Sequence, residues 1–482
     1  MKAHCFGTAS SATLLLPLLV SVCTAVAETP RPNIILCMTD DQGWGDTGYN
    51  GHPILKTPHL DEMSREGVTF NRFYSAAAMC SPTRASVYTG RHPYRMGVTF
   101  AMRGKLEENE VAITTILKEA GYRTGHFGKW HLGTLSKESG DQNRWGHYSQ
   151  HPELYFCPPW ERDVEVSFVT ESKVPTWDPL YDPDKTAGLS ERILYRNDFF
   201  TGPGEIVREN MDGDASRVVM DRAIPFIENS VKADQPFFAV IWFHTPHSPV
   251  VGGPEYLEMY ADRPENEQHY YACLTAMDEQ VGRLRSELRD LGVAEDTMIW
   301  FCSDNGPARQ KSERHVGSTG GLSGFKLSIQ EGGIRVPGLL IWPAGIPEPL
   351  AINAPCVTTD YFPTILDVLD IPLPKDRVYD GISLLPLLQG EKKHRGNPIG
   401  FLNREGAEAV WMEDRYKLVT VKKKQSETTR LYDIVTDPAE RADLALEQPE
   451  RAERMKEDLA HWKDGVMTEL KVVYESYETE SP

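Results

Sequence analysis

The stretch NIILCMTDDQGWGD at positions 33–46 combines an apolar run with a pair of adjacent acidic residues. Residues 33–39 form a continuous apolar run of strand length, and Asp40 and Asp41 follow it directly. An apolar run without polar alternation indicates a strand that is covered on both faces, as in a parallel sheet. We therefore expect a buried strand here, with two carboxylates at its carboxyl end.

Three more segments are apolar runs of strand length. They are FFAVIWF at 237–243, TMIWFCS at 297–303 and VPGLLIWP at 336–343. Segments with helical periodicity lie between them: TPHLDEMSREG at 57–67, AITTILKEAG at 112–121 and YYACLTAMDEQVGRLRSELRDLG at 270–292. In the first of these, Thr57 has the residue type of an N-cap, Pro58 opens the helix and Gly67 ends it. Strands that alternate with helices predict an α/β doubly wound domain, in which ligands collect at the carboxyl ends of the strands.

Two regions depart from this alternation. Residues 134–210 are rich in Pro, Trp, Tyr and charge with little periodicity, which predicts an insertion of loops and short strands that shapes a pocket rim. Aromatic and basic residues within it suggest contact with a sugar, although packing and solvated charge explain them equally well: Trp160, Arg162, Trp177, Arg192 and Arg196. From about residue 395 to 482, alternating strands and a helical segment predict a small α+β unit.

The first 27 residues have the pattern of a secretory signal peptide. A short apolar run from Leu14 to Val22 precedes Ala25-Val26-Ala27, which matches an A-x-A cleavage site. A lipoprotein interpretation at Cys23 fits poorly, because bulky Val22 stands where a small residue is required. Cleavage would leave about 455 residues, enough for a large catalytic domain (28–394) and the smaller C-terminal one (395–482).

The chain is strongly acidic, with 70 Asp and Glu against 51 Lys and Arg and a formal charge of −19. This surface charge argues against nucleic acids and anionic membranes as general partners. The six cysteines beyond the signal peptide match neither a CxxC metal site nor a dense disulfide framework. No N-x-S/T sequon occurs, which favours a bacterial secreted or periplasmic protein over a glycosylated lysosomal one.

Polar residues at the strand ends are the candidate functional groups. Asp40-Asp41 and Asp304-Asn305 would together offer the oxygen ligands that suit Ca²⁺ or Mg²⁺, although each pair alone is also typical of a turn. Lys129 is two residues from His131, so in an extended chain both would point the same way, toward an anionic substrate or toward solvent.

The segment HTPHSP places His244 and His247 among prolines at a strand end. Histidines on a rigid loop in a cleft make good general acids. Zinc ligation is the alternative, but no carboxylate or cysteine pattern nearby supports it.

Cys80 opens the segment CSPTRASVYTGR at 80–91. Ser81 has the residue type of an N-cap, Pro82 that of a first helical residue and Gly90 that of a stop, which puts Cys80 at the positive end of a helix. Arg84, one turn along, could hold a bound oxyanion. A thiolate nucleophile fits this position, but a thiolate beside hard-metal carboxylates is a poor chemical match.

These motifs resemble those of the type I sulfatases, members of the alkaline phosphatase-like superfamily. CSPTR followed by TGR is similar to the signature whose cysteine is oxidised to formylglycine, and GYRTGHFGKWHLG at 121–133 resembles the second signature. The resemblance continues through segments in the same order along the chain: RPNIILCMTDDQGWGD, GLSGFKLSIQEGGIRVP, DGISLLPLLQG and RLYDIVTDPAERADLA. It implies a large mixed, mostly parallel sheet sandwiched by helices, with a small α+β C-terminal subdomain.

The resemblance also implies site roles. One Ca²⁺ would be bound by Asp40, Asp41, Asp304, Asn305 and the modified Cys80. Arg84 would stabilise the formylglycine. Lys129 and Lys326 would hold the sulfate oxygens, His131 would help release sulfate, and His247 would bind sulfate and act as an acid. His244 would contact the substrate.

The expected function is hydrolysis of a sulfate ester on a small molecule or, more specifically, a sulfated carbohydrate, after a formylglycine-generating enzyme has modified Cys80. Two alternatives are a phosphonate monoester or phosphodiester hydrolase of the same superfamily and an inactive glycan-binding relative. The complete set of Lys129, His131, His247 and Lys326 favours the sulfatase. The signal peptide predicts secretion or a periplasmic location.

Overall fold

The computed structural model describes residues 1–4, 7, 31–138, 150–186, 192–309, 316–424 and 426–480. It divides into two units, residues 1–31 and residues 32–482. The described residues of the first unit, 1–4, 7 and 31, have no regular secondary structure, and most of the expected signal peptide lies outside the described residues. No helix within the described ranges combines the length and apolarity needed to cross a bilayer. The second unit contains the sheets and helices described below.

A ten-stranded sheet forms the centre of this unit, in the order β12-β2-β11-β9-β1-β8-β4-β5-β6-β7. The strands β9, β1, β8, β4 and β5 are parallel neighbours, and β11 and β6 join them antiparallel. The sheet is therefore mixed and mostly parallel at its centre. Its strands are β1 Asn33–Thr39, β2 Val68–Phe70, β4 Arg123–Lys129, β5 Val166–Thr170, β6 Phe199–Gly202, β7 Glu205–Val207, β8 Phe237–Trp242, β9 Thr297–Ser303, β11 Gly338–Ile341 and β12 Leu350–Ile352.

Helices cover both faces of this sheet. The described helices of the whole unit are α1 Pro58–Glu66, α2 Cys80–Thr89, α3 Ile113–Glu119, α4 Pro183–Thr186, α5 Ala215–Lys232, α6 Pro254–Glu258, α7 Glu265–Asp290, α8 Glu331–Ile334, α9 Tyr361–Val368, α10 Leu385–Leu388 and α11 Pro449–Glu480. Strand β1 shows why the runs are continuously apolar: Ile34 and Leu36 enter one hydrophobic cluster with α2 and α3, whereas Ile35 enters the other with α1, α5 and α7. The predicted α/β class is confirmed.

Two smaller sheets complete the unit. A three-stranded sheet contains β10 Arg335–Val336, β3 Phe73–Tyr74 and β13 Cys356–Val357. The C-terminal sheet is fully antiparallel and consists of β14 Ile399–Asn403, β15 Glu408–Met412, β16 Tyr416–Lys423 and β17 Ser426–Asp433. Residues of α11, among them Met455 and Leu459, pack on this sheet, so the expected C-terminal antiparallel subdomain is present.

Two element predictions needed correction. The run at 336–343 is two strands rather than one, because Pro337 separates β10 from β11 and has no backbone N–H to donate. Helix α2 begins at Cys80 with Met79 as its N-cap, so Ser81 is not the cap. Pro82 is accommodated at the third position because the first four N–H groups of a helix have no intrahelical partner.

Part of the expected rim insertion belongs to the sheet. Strands β5, β6 and β7 extend the large sheet at one edge, so residues 166–207 include structural strands as well as loops. Three of the residues suggested as sugar contacts also make contacts within the fold. Trp160 packs against the core, Arg162 Nη2 donates to the carbonyl of Leu106, and the Arg192 guanidinium lies 3.6 Å from the ring centre of Tyr181.

Candidate active site

The carboxyl ends of four neighbouring strands form one polar site. Strands β9, β1, β8 and β4 are adjacent, and each leads directly into a candidate residue. Residues 304–305 follow β9, residues 40–41 follow β1, His244 lies two residues beyond β8, and Lys129 is the last residue of β4. The structure brings these residues together at one edge of the sheet.

The carboxylates lie close together and are buried. Asp41 N donates to Asp304 Oδ1 at 3.1 Å, and Asn305 Nδ2 donates to Asp41 Oδ1 at 2.7 Å. Asp40, Asp304 and Asn305 are 0% exposed and Asp41 is 3% exposed. Asp41 has a φ of 71°, in the left-handed region that is uncommon for non-glycine residues and often marks functional sites.

Three cationic side chains contact these carboxylates. Lys129 Nζ lies 2.7 Å from Asp40 Oδ2, and Lys326 Nζ donates to Asp41 Oδ1. Arg84 Nη2 lies 2.6 Å from Asp304 Oδ2, and the Arg84 guanidinium lies 4.9 Å from the ring centre of Trp242. The site therefore concentrates cations at one point on a protein of net negative charge.

Burial and neighbouring charges perturb the carboxyl pKa values in opposite directions. Burial and repulsion from Asp40 raise the pKa of Asp304 to about 7, against the attraction of Arg84. Burial would also raise the pKa of Asp40, but Lys129 and His247 outweigh it and hold that pKa well below its usual range. Carboxylates packed this tightly need positive charge between them to remain ionised together.

Cys80 lies within this cluster. Its side chain is 1% exposed, and its Sγ and one oxygen each of Asp40 and Asp304 all lie within 4.8 Å of one another. Because Cys80 is the first residue of α2, the unpaired N–H groups of that helix end favour negative charge beside it. The described cysteines are all free: Cys37, Cys80, Cys157, Cys273, Cys302 and Cys356.

The two histidines after β8 occupy different environments. His247 Nε2 lies 3.7 Å from Asp41 Oδ2, its side chain is 12% exposed, and its Nδ1 lies 2.9 Å from the Ser248 carbonyl. His244 is fully buried, and its Nε2 hydrogen-bonds to Thr170 Oγ1 at 2.8 Å. Burial lowers the pKa of His244 to about 3. Burial also holds the pKa of His247 well below its usual value, against the attraction of Asp40 and Asp41.

His131 is buried just beyond β4, and its backbone N–H donates to the carbonyl of Glu171 at 3.0 Å. Its φ of 57° is left-handed, so the extended conformation of β4 does not continue through His131. Strand geometry therefore does not by itself orient the His131 side chain like that of Lys129.

The donor set fits a hard divalent cation. Asp40 Oδ1 and Asn305 Oδ1 are buried and accept no hydrogen bond from the described residues. Buried oxygens normally have a partner, and carboxylate and amide oxygens are what Ca²⁺ prefers. The residues expected to bind calcium therefore have the chemistry for it.

Sequence reasoning missed two contributors to the site. Thr170 at the end of β5 orients the His244 imidazole, and Trp242 at the end of β8 packs against the Arg84 guanidinium. The sequence indicated Trp242 only as an apolar residue near the end of a predicted strand. Thr170 lies in the segment interpreted as a variable rim, and its contact with His244 depends on the parallel pairing of β5 with β4.

Family models match most of the chain. The sulfatase model matches residues 32–371, and the model for the C-terminal part of N-sulphoglucosamine sulphohydrolase matches residues 325–464. Arylsulfatase G of Rattus norvegicus is 33% identical over 439 residues, covering 84% of this chain and 78% of that protein. N-acetylgalactosamine-6-sulfatase of Canis lupus familiaris is 31% identical over 393 residues, covering 78% of this chain and 70% of that protein.

Solved structures show the same fold. Ps i-CgsB, in complex with k-i-k-neocarrahexaose, superposes with a TM-score of 0.76 at 26% identity, covering 90% of this chain and 92% of that one. The phosphonate monoester hydrolase of Agrobacterium radiobacter matches at a TM-score of 0.57 and 20% identity, covering 93% and 96% of the two chains, and shows the shared fold alone. With the strand-end site and the family match over residues 32–371, the chain belongs to the sulfatase family of the alkaline phosphatase-like superfamily and is a sulfuric ester hydrolase.

Proposed function

We propose that this enzyme hydrolyses a sulfate ester on a sulfated carbohydrate, with Cys80 converted to formylglycine and one Ca²⁺ bound beside it. The observation that carries the proposal is the position of Cys80. Its Sγ lies among the oxygens of Asp40 and Asp304, at the N-terminus of α2. A thiolate is a soft ligand in a set of hard oxygens, whereas an oxygen at this position would match the set.

Formylglycine, in its hydrated form, would supply the nucleophilic hydroxyl, and Ca²⁺ would add positive charge beside it. Asp40, Asp41, Asp304 and Asn305 would hold the ion. Arg84, already paired with Asp304, would orient the modified side chain at the start of α2.

Lys129 and Lys326 would bind the non-bridging sulfate oxygens. Both ammonium groups already lie at the carboxylate cluster, on Asp40 and Asp41 respectively. Fixed positive charge in a buried site stabilises the negative charge that spreads over the sulfate oxygens in the transition state. His244, held by Thr170, would contact the substrate from the wall of the same site.

Two histidines would move protons at opposite stages. His247, which is partly exposed beside Asp41, would donate from Nε2 to the oxygen of the departing alcohol. His131 would act as the base when sulfate is released. Its fully buried position protects that proton transfer from bulk water.

The carbohydrate substrate is supported by relatives rather than by the rim aromatics. The relatives include an N-acetylgalactosamine-6-sulfatase at 31% identity, and a structural neighbour at 26% identity holds a hexasaccharide. The signal-peptide pattern of residues 1–27 supports secretion or a periplasmic location in a bacterium.

Sulfate release from a panel of sulfated monosaccharides and oligosaccharides, beside an aryl sulfate and a phosphodiester, tests this function. We expect turnover of at least one sulfated sugar, turnover of the aryl sulfate, and a much lower kcat/KM on the phosphodiester. The Cys80→Ala variant is the control and should be inactive on every substrate. Preference for the phosphodiester would contradict the sulfatase proposal.

A further inference from the structure

A cavity of about 710 Å³ lies beside the carboxylate cluster. Its volume falls within the range of roughly 300–1,000 Å³ that is common for small-molecule sites. Lys326 is one of its lining residues, and the same side chain donates to Asp41. The cavity therefore shares a residue with the catalytic site and is placed to hold a part of the substrate beyond the sulfate that is cleaved.

The charge of this cavity is opposite to that of the protein. Lys326, Arg309 and Arg404 are its charged lining residues, and the described lining includes no Asp or Glu. The chain as a whole has a formal charge of −19. A local cationic cavity on an acidic protein selects anionic ligands, because the surrounding negative surface repels them everywhere else.

Arg404 reaches the cavity from the C-terminal sheet through an unusual turn. Arg404 and Glu405 have φ values of 49° and 54°, and Gly406 continues the left-handed run at 82°. Left-handed conformations cost free energy for residues with a Cβ and persist where the surroundings hold them, commonly at ligand sites. Here the neighbouring Asn403 Nδ2 donates to the carbonyl of Leu327 at 3.0 Å, which ties the turn to the cavity wall.

The Arg404 guanidinium retains donors for a ligand. Its Nε pairs with Glu408 Oε1 at 3.0 Å, and this pair orients the group. Within the described part of the chain, no hydrogen bond or ion pair engages Nη1 or Nη2. The arginine side chain is 71% exposed, so an incoming anion can reach it. Two parallel N–H donors match the geometry of a carboxylate or a sulfate.

An apolar surface lies beside these cations. Leu327 is left-handed, at φ 74°, and 48% exposed, and its backbone N–H donates to the carbonyl of Ala78, two residues before Cys80. Phe325 also lines the cavity. A sugar ring has apolar C–H faces and polar edges, so an apolar wall with flanking guanidinium groups matches its two kinds of surface.

We propose that this cavity is a second sugar subsite and that Arg404 binds an anionic substituent there, distinct from the sulfate that is hydrolysed. The inference rests on the proposed carbohydrate function and narrows it to glycans that carry at least two negative charges. Arg309, which is exposed on the cavity wall, adds to the attraction. The second anion is a sulfate ester or a uronate carboxylate, since the guanidinium accepts either.

Equilibrium binding to the full chain with Cys80→Ala, which prevents turnover, tests the proposal. The probes are N-acetylgalactosamine 6-sulfate, a disaccharide that links it to a second sulfated sugar, and a disaccharide that links it to a uronate. We expect at least one doubly charged probe to bind about 10-fold more tightly than the monosulfate, because an additional charge-assisted hydrogen bond is formed. The probe that gains affinity identifies the second anion as sulfate or carboxylate.

Arg404→Gln in the same background should abolish that gain and leave the affinity for the monosulfate unchanged. Arg415→Gln is the matched control, because Arg415 is also an exposed arginine of the C-terminal sheet paired with a carboxylate, Asp433. Equal affinity of all three probes for the parent, or an undiminished gain in Arg404→Gln, would overturn the subsite. Inactivity of the unmutated enzyme on every sulfate ester would instead count against the proposed function, which this binding experiment does not measure.

Discussion

His247 and His244 are three residues apart after the same strand, and we propose that only His247 protonates the leaving group. His247 is partly exposed beside Asp41, whereas His244 is enclosed and fixed by Thr170. We predict that His247→Ala lowers kcat on a sugar sulfate by about 10²–10⁴-fold, the usual contribution of a general acid.

The loss should be much smaller on a nitrophenyl sulfate, because that leaving group needs no proton. Steady-state kinetics on the two substrates measure this difference. His244→Gln serves as the comparison and should affect both substrates to the same extent. An equal loss on both substrates in His247→Ala would assign that histidine to sulfate binding alone.

Asp304 is a proposed calcium ligand and also forms an ion pair with Arg84. The charge of Asp304 therefore affects both calcium binding and the position of Arg84. We predict that Ca²⁺ added to chelator-treated protein raises the Tm by several degrees, because a ligand that binds only the folded state stabilises it by about 2.7 kcal/mol at 100 times its Kd. Asp304→Asn should lose most of this shift.

The control for Asp304→Asn is Asp214→Asn. Asp214 is a buried carboxyl that caps α5 and is not one of the proposed calcium ligands, and asparagine is also a good cap. This variant should keep the full calcium-dependent rise in Tm. A calcium response that persists in Asp304→Asn would remove this residue from the ligand set.

At the scale of single elements, Gly90 ends α2 and thereby fixes the helix that positions Cys80. Its φ is 68°, and a Cβ added there would lie 2.8 Å from Phe362 Cβ. Gly90→Ala should therefore destabilise the protein by more than the roughly 1–2 kcal/mol expected for a left-handed alanine alone. Denaturant unfolding measures the difference.

Gly121→Ala is the matched control because Gly121 has a φ of 87°, and an alanine Cβ there would have no neighbouring atom within 4 Å. This variant measures the free-energy cost of a left-handed alanine without the cost of a steric clash. Equal destabilisation by the two substitutions would show that the contact with Phe362 relaxes freely.

The elements predicted best from the sequence are those whose ends are marked by neighbouring residues in the chain. β1 and β9 match their predicted ranges because an apolar run meets a carboxylate at each carboxyl end. The N-cap of α2 was predicted two residues too late, at Ser81 rather than Met79, since Pro82 is tolerated at more than one place in the first turn. The turn at Arg404 could not be foreseen. Its place beside Leu327 depends on a contact across 76 residues, and no local pattern encodes such a contact.

For the whole molecule, a buried ion cluster joins the C-terminal sheet to the catalytic part. Lys417 on β16 is fully buried and lies 2.9 Å from both Glu331 and Glu440. Tyr74 donates to the other oxygen of Glu331 at 2.8 Å. Glu331 lies five residues after Lys326, which contacts Asp41 in the active site. This cluster therefore holds the C-terminal sheet against the chain segment that carries Lys326.

We predict that Lys417→Met destabilises the protein by about 3–5 kcal/mol, because buried Glu440 loses its paired cation and Glu331 keeps only Arg335, whose Nη1 lies 3.7 Å away. Lys422→Met, at an exposed position of the same strand, should change stability by less than about 0.5 kcal/mol. Denaturant unfolding of both variants measures the contrast. A near-neutral Lys417→Met would mean that the cluster does not hold the two parts together.

The residues that the sequence motifs singled out lie together because parallel strands bring their carboxyl ends to one edge of the sheet. We propose above all that position 80 of the active enzyme carries an aldehyde. Mass spectrometry of the peptide containing residue 80, from enzyme of measured activity, tests it most directly. We predict a mass lower by the difference between thiol and aldehyde, in a fraction that scales with activity. Full activity with an unmodified Cys80 thiol would contradict it.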